Sequence, residues 1–171
     1  MKERTGIITF AGNAMTLLGE GVNVGQKAPD FTVLTTNLEK RSLSDYKGKV
    51  VAIYAAPSLD TGICDMQTRW FNEEAAKLGD DVQVLAISCD LPFAQGRWCG
   101  AANIHNVVTL SDHYDVSFGL NYGVLIKELR LLTRSMFIVD KAGIITYTQI
   151  VPEVTTELEI DAPIEAIKKA L

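Results

Sequence analysis

The sequence predicts an α/β fold with a mixed central sheet flanked by helices. Three observations carry this. Strands and helices alternate through the middle of the chain. Two of the strands, Val50–Ala55 and Val82–Ser88, are continuous apolar runs of the kind buried on both faces of a sheet. Near the C-terminus the turn Asp140-Lys141-Ala142-Gly143 folds one strand back antiparallel on another, so the sheet is not all parallel.

From the N-terminus, Thr5–Phe10 and Ala14–Leu18 are short apolar runs separated by the turn signal Ala11-Gly12-Asn13. They predict a β-hairpin over residues 5–18. Gly19–Lys27 is glycine-rich, but it lacks the preceding strand, following helix and glycine spacing of a phosphate-cradling loop, so it reads as a connection. Thr32–Thr36 reads as a strand. Leu43 and Tyr46, set among Ser42, Ser44 and Asp45, suggest a short helical turn, and Gly48-Lys49 turns the chain into Val50–Ala55. Pro57 stops that strand because its nitrogen cannot donate to a ladder. Ser58–Gly62 form a tight loop, and a helix opens with Asp60 or Thr61 as N-cap and runs to Leu78. Phe71, Ala75 and Leu78 share a face with Cys64. Arg69, Glu73, Glu74 and Lys77 are expected in solvent and Trp70 in the core. Gly79-Asp80-Asp81 ends the helix.

After Val82–Ser88, Asp90 and Pro92 start a helix through Phe93–Cys99, weakened by Gly96 and ended by Gly100. Val107–Leu110 is a strand, and Asp112–Tyr122 holds a short helix broken at Gly123. Arg134–Val139 and Ile144–Val151 are the paired strands. Asp161–Leu171 closes the chain as a helix, with Asp161 as N-cap and Pro163 in its first turn. The pattern fits a thioredoxin-like sheet and other α/β sandwiches alike.

A chain of 171 residues is expected to form one domain over 1–171, and 47% apolar residues suffice for a sizeable core. The net charge of −5 argues against nucleic-acid and anionic-membrane partners. No run approaches the roughly 18 apolar residues that span a bilayer. The opening MKERTGIITFAGNAM lacks the uninterrupted apolar core of a signal peptide. Three cysteines do not make a disulfide scaffold. In a reducing compartment they are catalytic, redox-active or metal-binding. Cys64, Cys89, Cys99 and His105 lack the short C-x₂₋₄-C spacing of a zinc site, so no metal is expected.

Cys64 carries the chemistry. The first turn of a helix has unpartnered N–H groups and a partial positive charge, both of which favour the nucleophilic thiolate. Asp60 and Asp65 oppose this, so a cation from elsewhere in the chain is needed. The competing reading makes Cys64 a small apolar filler of the core. Cys99, at its helix end between Gly96 and Gly100, can reach Cys64 if that end unwinds, since a disulfide needs Cα atoms roughly 4.4–6.8 Å apart. Cys89, at the end of a buried strand, reads as structural. His105 and His113 read as surface or loop residues, with nothing tying either to Cys64.

The run Pro57-Ser58-Leu59-Asp60-Thr61-Gly62-Ile63-Cys64 fits the pattern P-x-x-x-T-x-x-C of peroxiredoxins. With CDLPFAQGRWCG, the Arg134 strand, the N-terminal hairpin and the tail QIVPEVTTE, the chain resembles the bacterial thiol peroxidases, the atypical two-cysteine peroxiredoxins, over nearly its whole length. Ser58 and Leu59 are peripheral to the signature. The resemblance implies a thioredoxin fold, a cytoplasmic homodimer, and antioxidant reduction of hydrogen peroxide and organic hydroperoxides without metal or cofactor. It makes Cys64 the attacking cysteine that becomes a sulfenic acid. Cys99 is then the resolving cysteine that forms an intramolecular disulfide, which thioredoxin reduces. Thr61 would hydrogen-bond the thiolate and the peroxide, Pro57 would shield the pocket, and Arg134 would be the missing cation. The alternative is a peroxide-sensing redox relay that passes oxidation to a partner protein. A thiol–disulfide oxidoreductase fits less well, because no C-x-x-C is present.

Overall fold

A computed structural model describes residues Met1–Leu171. Strands β1 (Glu3–Phe10) and β2 (Asn13–Leu18) form the N-terminal hairpin, followed by β3 (Thr32–Leu34) and β4 (Lys40–Ser42). A 3₁₀ turn over Leu43–Tyr46 leads to β5 (Val50–Ala55), α1 (Gly62–Leu78) and β6 (Val82–Ser88). Then come α2 (Pro92–Ala102), β7 (Val107–Ser111), α3 (Ser117–Asn121), β8 (Leu125–Ile126) and β9 (Leu131–Leu132). The chain finishes with β10 (Ser135–Val139), β11 (Ile145–Ile150) and α4 (Asp161–Ala170).

Seven strands form one sheet in the order β11-β10-β5-β6-β7-β3-β4. β5, β6 and β7 are parallel, and β10 runs antiparallel to β5, so the sheet is mixed as the hairpin turn predicts. Period-two alternation sends β5 side chains to two different cores. Val51, Ile53 and Ala55 pack with Phe31, Phe118 and Phe137 on one face. Val50, Ala52 and Tyr54 pack with Cys64 and Phe71 of α1 and Ile167 of α4 on the other. The second face therefore carries the site. Truncating a ring buried there, such as Phe71, costs about 3–5 kcal/mol.

Several expected boundaries shift. The two-residue strands β8 and β9 extend the hairpin into a four-stranded sheet, β1-β2-β8-β9, and β4 pairs with β3. None of the three is long enough to show a period. Gly100 does not end α2. The helix runs on through Ala101 and Ala102, good helix formers, and stops at Asn103, whose left-handed backbone (φ 56°, ψ 45°) lets its N–H donate to Cys99 O. Cys99 thus lies inside α2. Ile160, not Asp161, occupies the N-cap position of α4, and Asp161 is its first helical residue. Trp70 is half-buried at the edge of the core and Glu74 is half-buried, while Arg69, Glu73 and Lys77 are exposed. No helix is long and apolar enough to cross a membrane.

Candidate active site

The site forms where the C-terminal end of β5 hands over to α1. Thr61 is the N-cap of α1, and Cys64 is the third residue of the helix. The Cys64 N–H donates to Thr61 Oγ1 at 3.4 Å, and the Thr61 hydroxyl donates to Ser58 O at 3.1 Å. Of the two expected caps, Thr61 is therefore the one used, while Asp60 is exposed. The Thr61 hydroxyl is bonded to backbone, not to the sulfur. Asp90 holds the loop from below. Its carboxylate accepts from Ser58 Oγ (2.6 Å), Leu59 N (2.8 Å) and Ser88 Oγ (2.7 Å). Pro57 is buried in the same loop.

Arg134 arrives from across the sheet. It precedes β10, where Ser135 pairs with Ala55, and it shares the parity of Met136 and Ile138, whose side chains face α1. Arg134 Nη1 donates to Cys64 Sγ at 3.2 Å, to Tyr54 Oη at 2.8 Å and to Gln67 Oε1 at 3.4 Å, and Nε donates to Val154 O at 3.2 Å. The Tyr54 hydroxyl donates to Gln67 Oε1 at 3.2 Å, and Gln67 Nε2 donates to Leu158 O at 3.1 Å. Cys64 is fully buried and Arg134 is 2% exposed.

The charge balance of this cluster is unusual. None of the salt bridges includes Arg134. A buried cation without an anion costs several kcal/mol. The groups that accept from the guanidinium are the Cys64 sulfur, the Tyr54 hydroxyl and the Gln67 and Val154 carbonyls, and none is a carboxylate. Burial first, then the charge on Cys64, push the Tyr54 hydroxyl well above the ordinary phenol range, so it stays a donor.

The carboxylate beside Cys64 is engaged by other groups. Asp65 accepts from Arg69 Nε at 2.9 Å and from Trp98 Nε1 at 2.7 Å. The Arg69 hydrogen bond above all, with that of Trp98, holds its carboxyl below the usual range. Its charge is neutralised locally.

All three cysteines are free thiols. Cys99 is half-buried against the same core face as Cys64, with Sγ 3.2 Å from Thr109 Oγ1, and burial pushes its thiol up. Cys89 packs on the opposite face of the sheet. Burial, followed by the charges of Asp112 and Asp90, pushes its thiol up to about 12. His105 is exposed, and His113 bonds Ser111 away from the site. No three His, Cys, Asp or Glu side chains cluster to hold a metal. A cleft of about 720 Å³ among Lys27, Tyr46, Lys49 and Lys141 lies at the opposite end of β5 and touches none of these residues.

Sequence reasoning thus names Cys64, Thr61, Arg134 and Pro57 as neighbours but misses Tyr54 and Gln67. Both carried a signal. Tyr54 shares the parity of Val50 and Ala52. Gln67 is a polar residue on the apolar stripe of Cys64 and Phe71.

Comparison with known proteins places the chain in a family. The Redoxin family pattern matches residues 23–164. The thiol peroxidase of Bacillus subtilis is 60% identical over 161 residues, covering 94% of this chain and 96% of that protein. The thiol peroxidase of Halalkalibacterium halodurans is 56% identical, covering 96% and 98%. The crystal structure of a peroxiredoxin-like protein from Aquifex aeolicus superposes with a TM-score of 0.90 at 38% identity, covering 98% of this chain and 99% of that one. The chain therefore has the thioredoxin-like redoxin fold and belongs to the thiol peroxidase family of peroxiredoxin-type peroxidases.

Proposed function

We propose that the chain reduces hydroperoxides with Cys64 as nucleophile and Cys99 as resolving thiol, and that a thioredoxin-type dithiol returns it to the reduced state. One observation carries the reading: a buried guanidinium with no carboxylate partner lies 3.2 Å from the Cys64 sulfur. The thiolate attacks the terminal oxygen of ROOH. The S–O bond forms as the O–O bond breaks, and RO⁻ leaves and takes a proton from solvent to become ROH, giving Cys64–SOH. Arg134 stabilises the anion before attack and the charge on the departing oxygen during it. Its Nη2 has no acceptor within the chain and serves the peroxide. Thr61 first fixes the helix start. Rotation of its hydroxyl away from Ser58 O turns it towards the peroxide, while buried Pro57 keeps water out.

Cys64–SOH then condenses with Cys99–SH, forming the disulfide and releasing water. Three cysteines, too few for a disulfide scaffold, fit a cytoplasmic protein. Exposed Leu91, Phe93 and Tyr114 offer apolar surface for a second copy. Residues 1–171 act as one unit, since Thr9 of the hairpin bonds Pro152 and Val154 beside the site. The test is stopped-flow consumption of cumene hydroperoxide. Cys64→Ser is expected to abolish it. Cys99→Ser is expected to complete one turnover and then fail to recycle with thioredoxin. Wild-type rates in Cys64→Ser would overturn the reading.

A further inference from the structure

Helix α2 is fastened at its two ends by different means. Towards its start, fully buried Gln95 donates to Leu110 O at 2.9 Å and Ser88 Oγ at 3.0 Å, anchoring it to β6 and β7. Pro92 and Gln95 are its only buried residues. Towards its end the fastening is to α1 and lies at the surface. Trp98 Nε1 donates to Asp65 Oδ1 at 2.7 Å, and Arg69 Nε donates to Asp65 Oδ2 at 2.9 Å. Arg69 Nη1 donates to Ala102 O at 3.3 Å, and its guanidinium lies 5.7 Å from the centre of the Trp98 ring. Asp65 is the chain neighbour of Cys64, and Trp98 that of Cys99. The cluster thus joins the segments that carry the two thiols.

We infer that Asp65, Arg69 and Trp98 form a clamp that sets how fast Cys99 reaches the Cys64 sulfenic acid. The inference rests on the two-cysteine reading above. Condensation needs the end of α2 to unwind, because Cys99 lies within the helix with its sulfur on Thr109. Gln95 keeps the start in place, so release of the clamp frees roughly two turns. While the clamp holds, Cys64–SOH is open to a second hydroperoxide, which transfers its terminal oxygen to the sulfur, giving a sulfinic acid and ROH. The clamp residues are positioning residues: they set the partition between disulfide and sulfinic acid without touching the reacting sulfur.

The test is a single-turnover reaction with cumene hydroperoxide, acid-quenched and read by mass spectrometry. It follows sulfenic acid, Cys64–Cys99 disulfide and sulfinic acid separately. Trp98→Phe keeps the ring under Arg69 and removes the indole donor. Its sulfenic acid is expected to form within twofold of the wild-type rate. Its disulfide is expected to form about tenfold faster, with a correspondingly smaller sulfinic share at excess peroxide. Asp65→Asn, which discharges the partner of Arg69, is an independent second variant and is expected to speed the disulfide in the same direction. Disulfide formation at or below the wild-type rate in either variant overturns the clamp. Failure of wild type to form any Cys64–Cys99 disulfide overturns instead the two-cysteine reading beneath it.

Discussion

Replacing Arg134 with methionine removes the charge and keeps most of the side-chain volume. At 3.2 Å from the sulfur, two unit charges attract by about 5 kcal/mol at an effective dielectric constant near 20. Part of that is recovered when water or Gln67 and Tyr54 rearrange around the anion. Losing a single donor to a transition-state oxyanion costs about 2.7–4 kcal/mol in comparable sites. The expected loss is therefore about 3 kcal/mol, roughly two orders of magnitude in the second-order rate of peroxide reduction at pH 7. Stability should change much less. Tyr54 Oη, Gln67 Oε1 and Val154 O each lose a donor, which costs about 1–3 kcal/mol per group left unsatisfied. Taking a charge out of the buried site offsets part of that loss. The assay is stopped-flow consumption of cumene hydroperoxide, with urea unfolding of the same preparation as control. A folded Arg134→Met protein within threefold of the wild-type rate would refute the assignment of the guanidinium.

Three further outcomes follow from other parts of the molecule. Gln67→Glu places a carboxylate where Gln67 Oε1 now accepts from Arg134, so the guanidinium gains a competing anion. Peroxide reduction at pH 7 should fall at least tenfold while the fold persists, as stopped-flow kinetics and circular dichroism would show. The Glu153 carboxylate accepts from Thr9 Oγ1, Ala11 N, Gly12 N, Thr155 N and Thr155 Oγ1, and the Thr155 hydroxyl above all holds it well below the usual carboxylate range. That support is present above the ordinary glutamate pKa and is lost as pH falls through the lowered one. Glu153→Ala should lower Tm at pH 7 and, because adjacent Val154 O holds Arg134, slow peroxide reduction severalfold. Buried Asp112 shows the opposite sign. Burial raises its carboxyl to about 6, so between about pH 4 and 6 the folded chain binds more protons than the unfolded one, and stability falls as pH rises through that window. The unfolding free energy of wild type relative to Asp112→Asn should drop by about 2–3 kcal/mol from pH 4 to pH 7 in urea titrations.

How much of this was readable in the chain depends on distance along it. The strand, proline loop and helix start from Val50 to Cys64 are local, and the structure reproduces them with Thr61 as cap. Arg134 lies 70 residues from Cys64, so only the family resemblance pointed to it. Tyr54 and Gln67 follow from strand parity and helix stripe, but a polar residue on an apolar face is recognised as a partner only once another element is placed against it. The end of α2 was misread because Gly100 carries the usual stop signal, whereas termination depends on Asn103 adopting a left-handed backbone. The contact between Asp65 and Trp98 was invisible for the same reason as Arg134: it joins two helices across 33 residues of chain.

The measurement that bears most directly on the whole account is the intact mass, with peptide mapping, after one equivalent of cumene hydroperoxide. The account predicts a mass lower by two hydrogens and a single new link between Cys64 and Cys99. A stable gain of oxygen elsewhere in the chain, with Cys64 recovered as a free thiol, would contradict it.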